Sequence, residues 1–327
     1  MASGEDDLIA RYFKPLATDP GTFGLTDDAA VLTSSGEDIV VTVDAVVEGV
    51  HFLADDPPDT LARKALRVNL SDLAAKGAEP AGFVLTLALR DVQESWLAPF
   101  AKALGEDAAH FKCPLLGGDT VSTRGPLSIS ITAFGRVPKG RMVRRAGAKP
   151  GDLVMVTGTI GDATLGLDIL GGGELAKAMA NDATGMAALI DRYRVPQPRN
   201  ALALAVREHA TAAMDVSDGL AGDLTKLCGV SGVSADIRLA DVPLSAQARE
   251  LVARGIVGIE RLVSGGDDYE LLCAVPPNAA ARFVAAAKAT GTAATVIGEF
   301  RAGGEPPRFL DASGKPLALK RLSYSHF

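Results

Sequence analysis

The chain offers almost no cysteine chemistry. Its three cysteines, Cys113, Cys228 and Cys273, lie far apart and lack metal-site spacing, which argues against a thiolate-ligated centre. An odd count with no pairing pattern fits a reducing compartment, so a cytoplasmic location is expected. Aromatics make up only 5%, with Trp96 the single tryptophan, so the core must be built mostly of Ala, Val and Leu. A basic excess is also missing. The net charge is −7, and the Arg141-Met142-Val143-Arg144-Arg145 cluster is too short for a nucleic-acid footprint, so no nucleic-acid partner is expected. No apolar run reaches the length of a membrane span. Met1 to Asp7 carries acids, and no basic segment precedes an apolar stretch, so neither a membrane segment nor a signal peptide is expected. No Gly-Lys-Ser/Thr closes a Walker A loop, and no G-x-G-x-x-G follows a strand and opens a helix. A nucleotide would have to be held through metal and backbone.

What the chain does have is a set of aspartates embedded in small-residue turns. They are Asp27-Asp28 before Ala29-Ala30, Asp44 in Thr42-Val43-Asp44, Asp72 in Asn69-Leu70-Ser71-Asp72, and Asp119 in Gly117-Gly118-Asp119-Thr120. Asp215 and Asp218 follow in Asp215-Val216-Ser217-Asp218-Gly219, and Asp267-Asp268 after Gly265-Gly266. A solvated surface would scatter such carboxylates among Lys and Arg. Carboxylate and hydroxyl oxygens with few nitrogens or sulfurs suit a hard cation such as Mg²⁺, which usually takes a few carboxylates plus substrate phosphates. Gly-rich turns let backbone N–H groups approach phosphate closely. The pattern points to a metal-dependent enzyme acting on phosphates.

With 327 residues, 47% hydrophobic and 22% charged, the chain has the balance of a two-domain globular protein. Leu8 to Phe13 reads as a short helix. Ala30 to Leu32 and Ile39 to Val43 read as a hairpin across Ser34-Ser35-Gly36, with Asp28 and Asp44 near strand ends. Pro58 to Ala75 has apolar residues at helical spacing, with Asp59 or Thr60 as the cap and Gly77 and Pro80 as the stop. Asn69 and Asp72 then share a face of that helix. Further strands are expected at Phe83–Leu89, Leu127–Phe134, Leu153–Thr157, Leu271–Val275 and Val296–Phe300. Further helices are expected at Trp96–Leu104, Ala201–Ala213, Ala221–Cys228 and Ala279–Ala289. Val137 to Gly151, rich in Pro, Gly and basic residues, reads as a boundary. The division expected is residues 1–137, a linker at 138–150, and residues 151–327. Strands and helices mix in both halves, so the fold class is α/β or α+β.

Each motif alone has a plain structural reading. Asp-Gly turns form for local reasons. Asp72 reads as a solvated helix residue, Ser217 as a cap for a helix starting at Asp218, His51 as a packed or surface residue, and Tyr324 as packing. Asp44, at the end of an apolar strand, is harder to dismiss, because a carboxylate there is costly unless paired.

The ensemble is more specific. In order, Leu25-Thr26-Asp27-Asp28-Ala29-Ala30-Val31, Thr42-Val43-Asp44, Glu48-Gly49-Val50-His51-Phe52, Asn69 to Ala75 and Gly117 to Thr120 resemble the thiamine-monophosphate kinase family. So do Arg145 to Asp152, Met214 to Leu220 and Gly265 to Leu271. That family is related to aminoimidazole ribonucleotide synthetase and selenophosphate synthetase. The resemblance implies two α/β domains, with the N-terminal sheet joining a partner's in a homodimer. It implies ATP and thiamine monophosphate as substrates and several Mg²⁺ ions. The implied metal positions are Asp28, Thr42, Asp44, Asp72, Asp119, Asp215 and Asp218, with Val43 contributing its carbonyl. Gly118, Arg145 and Ser217, beside Asp119, match ATP-contacting positions. His51, Asp267 and Tyr324 match positions near thiamine phosphate. The chain departs from the family pattern at Thr26, where Gly is common, and at Asp267, where Glu is common. Val43 stands where a second hydroxyl residue is often found.

The chemistry agrees with the resemblance. A phosphomonoester has a second pKa near ~6 and is largely ionised at neutral pH, so no strong general base is required. The implied reaction is direct in-line transfer of the ATP γ-phosphoryl group. The alternatives at this level are an aminoimidazole ribonucleotide synthetase-like enzyme, a metal-dependent phosphohydrolase, and a non-catalytic Mg-nucleotide-binding protein. Selenophosphate synthetases use a cysteine or selenocysteine near the N-terminus, whereas the first cysteine here is Cys113. The hydrogenase-maturation relatives end in a functional cysteine, whereas this chain ends Ser325-His326-Phe327.

Overall fold

The computed structural model describes residues 23–24, 26–27, 30–33, 36–91, 93–319 and 323. Asp28, Tyr324 and the helix expected at Leu8 to Phe13 lie outside the described residues. A first sheet is built from β1 (Ala30–Thr33), β2 (Glu37–Val47), β3 (Glu79–Leu89), β4 (Leu115–Ser122) and β5 (Ser128–Pro138), in the order β1-β2-β5-β3-β4. The expected hairpin forms, with Ala30 opposite Val41 and Leu32 opposite Ile39. β2 runs on to Val47, so Asp44 sits inside the strand rather than at its end. Among the described strands of this sheet, β3 and β4 alone pair in parallel, with Thr86 beside Asp119.

Two of the described helices accompany this sheet. Helix α1 (Pro58–Ala75) has the expected bounds, but neither Asp59 nor Thr60 caps it. Pro57 occupies the cap position and Pro58 opens the helix, where a missing N–H costs nothing. The Thr60 hydroxyl turns back to the Pro57 carbonyl at 2.7 Å. Helix α2 (Glu94–His110) supplies the crossover that a parallel pair requires.

The second sheet holds β6 (Leu153–Thr157), β7 (Ala212–Asp215), β8 (Val233–Arg238), β9 (Leu271–Val275), β10 (Ala294–Ala302) and β11 (Arg308–Leu310), in the order β11-β8-β10-β6-β9-β7. It is apolar on both faces. Val154 and Val156 pack on one side with Met214, Leu272 and Phe300, while Met155 packs on the other with Cys273 and Phe283. Its helices are α3 (Asp162–Leu170), α4 (Glu174–Ala178), α5 (Ala183–Arg194), α6 (Ala203–His209), α7 (Leu220–Ser231), α8 (Ala246–Ala253), α9 (Ile259–Ser264) and α10 (Pro277–Ala289).

The helix expected at Ala201–Ala213 is not continuous. A short 3₁₀ turn (Asn200–Leu202) leads into α6, and Ala212 and Ala213 leave it to pair with Ala274 and Cys273. Sheet pairing overrides the helix preference of alanine there. β4 was not foreseen, because two adjacent glycines read as a turn.

Helix α1 joins the halves. It packs on β2 and β5 and also on β7, β9 and α6. Leu66, Leu70 and Leu73 belong to the core of the first sheet, whereas Ala74 and Ala75 belong to that of the second. Among the described residues, no helix is long and apolar enough to cross a membrane. Cys113, Cys228 and Cys273 are buried and unpaired.

Candidate active site

A cleft of about 800 Å³ opens between the two sheets, and most of the aspartate motifs converge on it. β2 contributes Val43 and Asp44, α1 contributes Val68 and Asp72, and the turn after β2 contributes His51. β7 ends in Asp215, the turn after it brings Ser217 and Asp218, and the loop before β9 brings Gly265, Gly266, Asp267 and Tyr269.

Local pairing explains why these side chains meet. Thr42 and Asp44 are two apart on a strand and face one side. The Thr42 hydroxyl donates to Asp72 Oδ2 at 2.5 Å, and the Asp44 N–H donates to Asn69 Oδ1 at 3.0 Å. Asn69 and Asp72 therefore do share the helix face that meets β2. The two C-terminal motifs run side by side. Val216 N–H donates to the Glu270 carbonyl at 2.8 Å, Tyr269 N–H to the Val216 carbonyl at 2.8 Å, and Asp267 N–H to the Ser217 carbonyl at 2.7 Å. Gly266 permits this approach, since a Cβ there would stand 2.3 Å from the Ser217 carbonyl oxygen.

The acids strain against one another. Loss of water pushes the Asp44 carboxyl up to about 7, with Asp215 and Asp218 adding repulsion. Burial also lifts Asp72 well above the usual carboxylate range, reinforced by Asp215 and Asp44. Asp215 rises through burial, opposed by the positive charges of Lys76 and Arg145. Among the described residues, no three His, Cys, Asp or Glu side chains are gathered tightly enough to hold a metal ion by themselves. The donor set still fits Mg²⁺, a hard cation that shares its shell with phosphate oxygens and water. Carboxylates held together against their own repulsion are what such a cation would relieve.

Other expected site residues lie elsewhere. Thr42 is buried behind Asp72 rather than lining the cleft. Gly118 and Asp119 lie on β4, the exposed edge strand, away from the cleft lining. The Arg145 N–H donates to Asp27 Oδ2 at 2.7 Å, and its side chain does not line the cleft. Ser217 does not cap a helix. Gly219 occupies the cap position of α7, and the Ser217 and Asp218 N–H groups donate to Asp223 Oδ2 at 3.1 and 3.0 Å.

Sequence reasoning missed the residues that support these loops. Buried Asp223 also meets Lys226 at 3.2 Å. Lys76, wholly buried, reaches Asp27 Oδ1 at 2.6 Å and the Ala213 carbonyl at 3.1 Å. Buried Glu270 accepts from Thr157 Oγ1 at 2.7 Å, Arg192 at 2.9 Å and Arg199 Nε at 2.7 Å. Each supporting partner of Glu270 is 71 to 113 residues away in sequence, so no local pattern announces them. The local clue was Asn69 and Asp72, three apart on one α1 face.

Two sheets around a shared acidic cleft define the class. The family model for the AIR synthase related protein N-terminal domain matches residues 26–137, and that for its C-terminal domain matches residues 149–309. Within that class, the thiamine-monophosphate kinase of Caulobacter vibrioides is 46% identical over 98% of this chain and 90% of its own length. A crystal structure of thiamine-monophosphate kinase from Stenotrophomonas maltophilia aligns with a TM-score of 0.79 at 36% identity, covering 97% of this chain and 99% of that one. AaThiL complexed with AMPPCP and TMP aligns with a TM-score of 0.80 at 30% identity, covering 94% and 97%. The chain belongs to the thiamine-monophosphate kinase family.

Proposed function

We propose that the chain transfers the γ-phosphoryl group of ATP to the phosphate of thiamine monophosphate, giving thiamine diphosphate and ADP. Family membership supports this reading, as does a relative solved with AMPPCP and TMP. The observation that carries it is the cleft itself. It gathers Asp44, Asp72, Asp215 and Asp218, and among the described residues its lining offers no lysine and only His51 as an imidazole to serve as a base. His51 Nδ1 accepts the Val47 N–H at 3.1 Å, so that ring nitrogen is already engaged. The acceptor phosphate is ionised at neutral pH and attacks without one.

In this reading Mg²⁺ would be held by Asp44, Asp72, Asp215 and Asp218, with Asp28, Thr42, the Val43 carbonyl and Asp119 assigned by resemblance. When bound, Mg²⁺ offsets the repulsion between two polyanions and the charge on the transferring group. The chain's own residues hold and orient. Gly118, Arg145 and Ser217 are assigned to ATP, and His51, Asp267 and Tyr324 to thiamine monophosphate. Gly265 and Gly266 bring backbone close to the cleft, where N–H groups suit phosphate. Apolar Val46, Val50 and Leu167 offer a surface for an organic ring.

The same reading includes a homodimer joined through the first sheet. Every residue of the edge strand β4 is exposed, including Leu115, Leu116 and Val121, and an uncovered apolar edge favours strand pairing. It also includes the division into residues 1–137, 138–150 and 151–327. A cytoplasmic location rests on three unpaired buried cysteines, and the absence of a nucleic-acid partner on the charge of −7.

The test is ADP release from Mg·ATP with thiamine monophosphate, with thiamine, and with no acceptor, the product being identified by mass. Thiamine diphosphate formed only with the monophosphate is the expected result. ADP release without acceptor would favour a phosphohydrolase, and binding without turnover a nucleotide-binding protein. A trapped covalent phosphoenzyme would refute direct in-line transfer.

A further inference from the structure

One cation in the cleft wall has no part in the reading above. Lys64 lies on α1 with 2% of its surface exposed. Its ammonium donates to the His51 carbonyl at 2.8 Å and to Asp267 Oδ2 at 3.1 Å. It also stands 3.8 Å from the centroid of the Tyr193 ring. The Tyr193 hydroxyl donates to the same His51 carbonyl at 3.1 Å, and the Tyr269 hydroxyl donates to Asp267 Oδ1 at 3.2 Å. His51, Tyr193, Asp267 and Tyr269 all line the cleft, whereas Lys64 stands behind them.

A buried ammonium is costly unless it is well paired. Here a carbonyl, a carboxylate and an aromatic face compensate it, and they come from the turn after β2, the loop before β9, and α5. The backbone gives an independent sign that this corner is held under tension. Asp267 and Tyr269 have φ values of +70° and +50°, a left-handed conformation that side chains rarely adopt. Such strain persists where surrounding contacts over-determine it. Lys64 from behind and Tyr269 from the cleft lining engage both Asp267 carboxylate oxygens, which fixes the orientation of that carboxylate.

We propose that Lys64 is a positioning residue for the acceptor subsite. It locks the Asp267 carboxylate and the His51 turn in the orientation that receives a cationic heteroaromatic ring such as thiazolium. Its charge also partly balances Asp267, so the carboxylate orients the ring without trapping it. The assignment rests on the kinase reading, because it needs Asp267 and His51 to face thiamine monophosphate.

The experiment compares wild type, Lys64→Met, Lys64→Arg, Asp267→Asn and the Lys64→Met/Asp267→Asn double variant. KM for thiamine monophosphate, KM for ATP and kcat are measured, with thermal melts as a control. Loss of a charge-assisted hydrogen bond should raise KM for thiamine monophosphate about tenfold or more in Lys64→Met. KM for ATP should change by less than about twofold, because no ATP group is positioned by Lys64. In the Asp267→Asn background the same change should have a much smaller effect, since contacting residues are not additive. Lys64→Arg, which keeps the charge, should recover part of the loss.

Equal changes in both KM values, or additive effects in the cycle, would overturn the proposal. If Lys64→Met does not fold, Tyr193→Phe takes its place. It keeps the ring under the ammonium, frees the His51 carbonyl of one donor, and should raise KM for thiamine monophosphate alone. Wild-type protein that makes no thiamine diphosphate refutes the kinase reading. Active wild type with unchanged KM in the variants refutes only the role of Lys64.

Discussion

Asp44, Asp72 and Asp215 are in a state that their neighbours make unfavourable. Burial disfavours all three ionised forms, and repulsion from neighbouring carboxylates adds to it at Asp44 and Asp72. Two outcomes follow at the level of single residues. Asp72→Asn keeps the shape and removes a charge. We expect kcat to fall by about 10²–10³-fold, the range for losing one preorganised electrostatic contact. The metal-free protein should melt no lower than wild type, because the charge lost was a repelled one. Steady-state kinetics and thermal melts in EDTA check both.

The second outcome concerns pH. The Asp44 carboxyl rises from 3.8 to about 7 in the folded chain. Between those values the folded state binds more protons than the unfolded state, so metal-free stability falls as pH rises through this window. A divalent cation favours the ionised carboxylates, so added Mg²⁺ should reverse the trend and release protons at neutral pH. Melting curves from pH 4 to 8, with and without Mg²⁺, test the sign. A metal-free Tm that climbs across the window would contradict the assignment.

At the scale of elements, α1 is the spine. A helix with one apolar stripe would lie on a surface, but α1 buries residues on every side. Several of its polar residues are held inside by named partners. Asn69 meets β2, Lys64 meets His51 and Asp267, and Arg67 meets Asp107 at 2.5 Å and the Pro196 carbonyl at 3.0 Å. The two C-terminal motifs form the opposite wall, and Asp223 ties one of them down. Burial pushes the Asp223 carboxyl up to about 7 against the pull of Lys226. Asp223→Ala leaves the Ser217 and Asp218 N–H groups without their acceptor. We expect a loss of about 1–3 kcal/mol in stability, together with weaker Mg·ATP binding. Asp223→Asn, which keeps an acceptor oxygen, should restore most of the stability. Chemical denaturation of the three proteins decides this.

At the scale of the whole molecule, the exposed face of β4 stands out. It carries Gly118 and Asp119, two expected site residues that do not line the cleft. In the dimer we propose, this edge is paired with the partner's sheet. Val121→Lys introduces charge on an edge strand, which opposes pairing. The expected result is a shift toward monomer in light scattering, together with loss of turnover. A variant that remains dimeric and fully active would remove β4 from the interface.

Much of the fold was legible in short-range pattern. The bounds of α1, β6 and β9 could be read from the sequence, because apolar residues recur at helical spacing in the first and form short unbroken runs in the other two. The hairpin of β1 and β2 was legible from its Gly36 turn. Ala212 and Ala213 were misread as helix because alanine's local preference yields to a neighbouring strand. β4 was missed because its glycines speak for a turn until β3 lies beside it. Gly118 shows why a glycine is there, since a Cβ would stand 2.0 Å from the Leu85 carbonyl oxygen.

By itself the sequence determined the donor types from which the site is built. Its aspartates, small-residue turns and lack of thiolates already pointed to hard-cation and phosphate chemistry, because ligand preference depends on donor type. It also determined the family, since the motifs occur in a fixed order along the chain. Only the tertiary structure decided which aspartates meet, that Asp44 and Asp72 titrate abnormally, and that Lys64, Lys76, Asp223 and Glu270 hold the walls. Those properties depend on burial and on neighbours far away in sequence, and desolvation and pairing arise only once the two sheets close on α1.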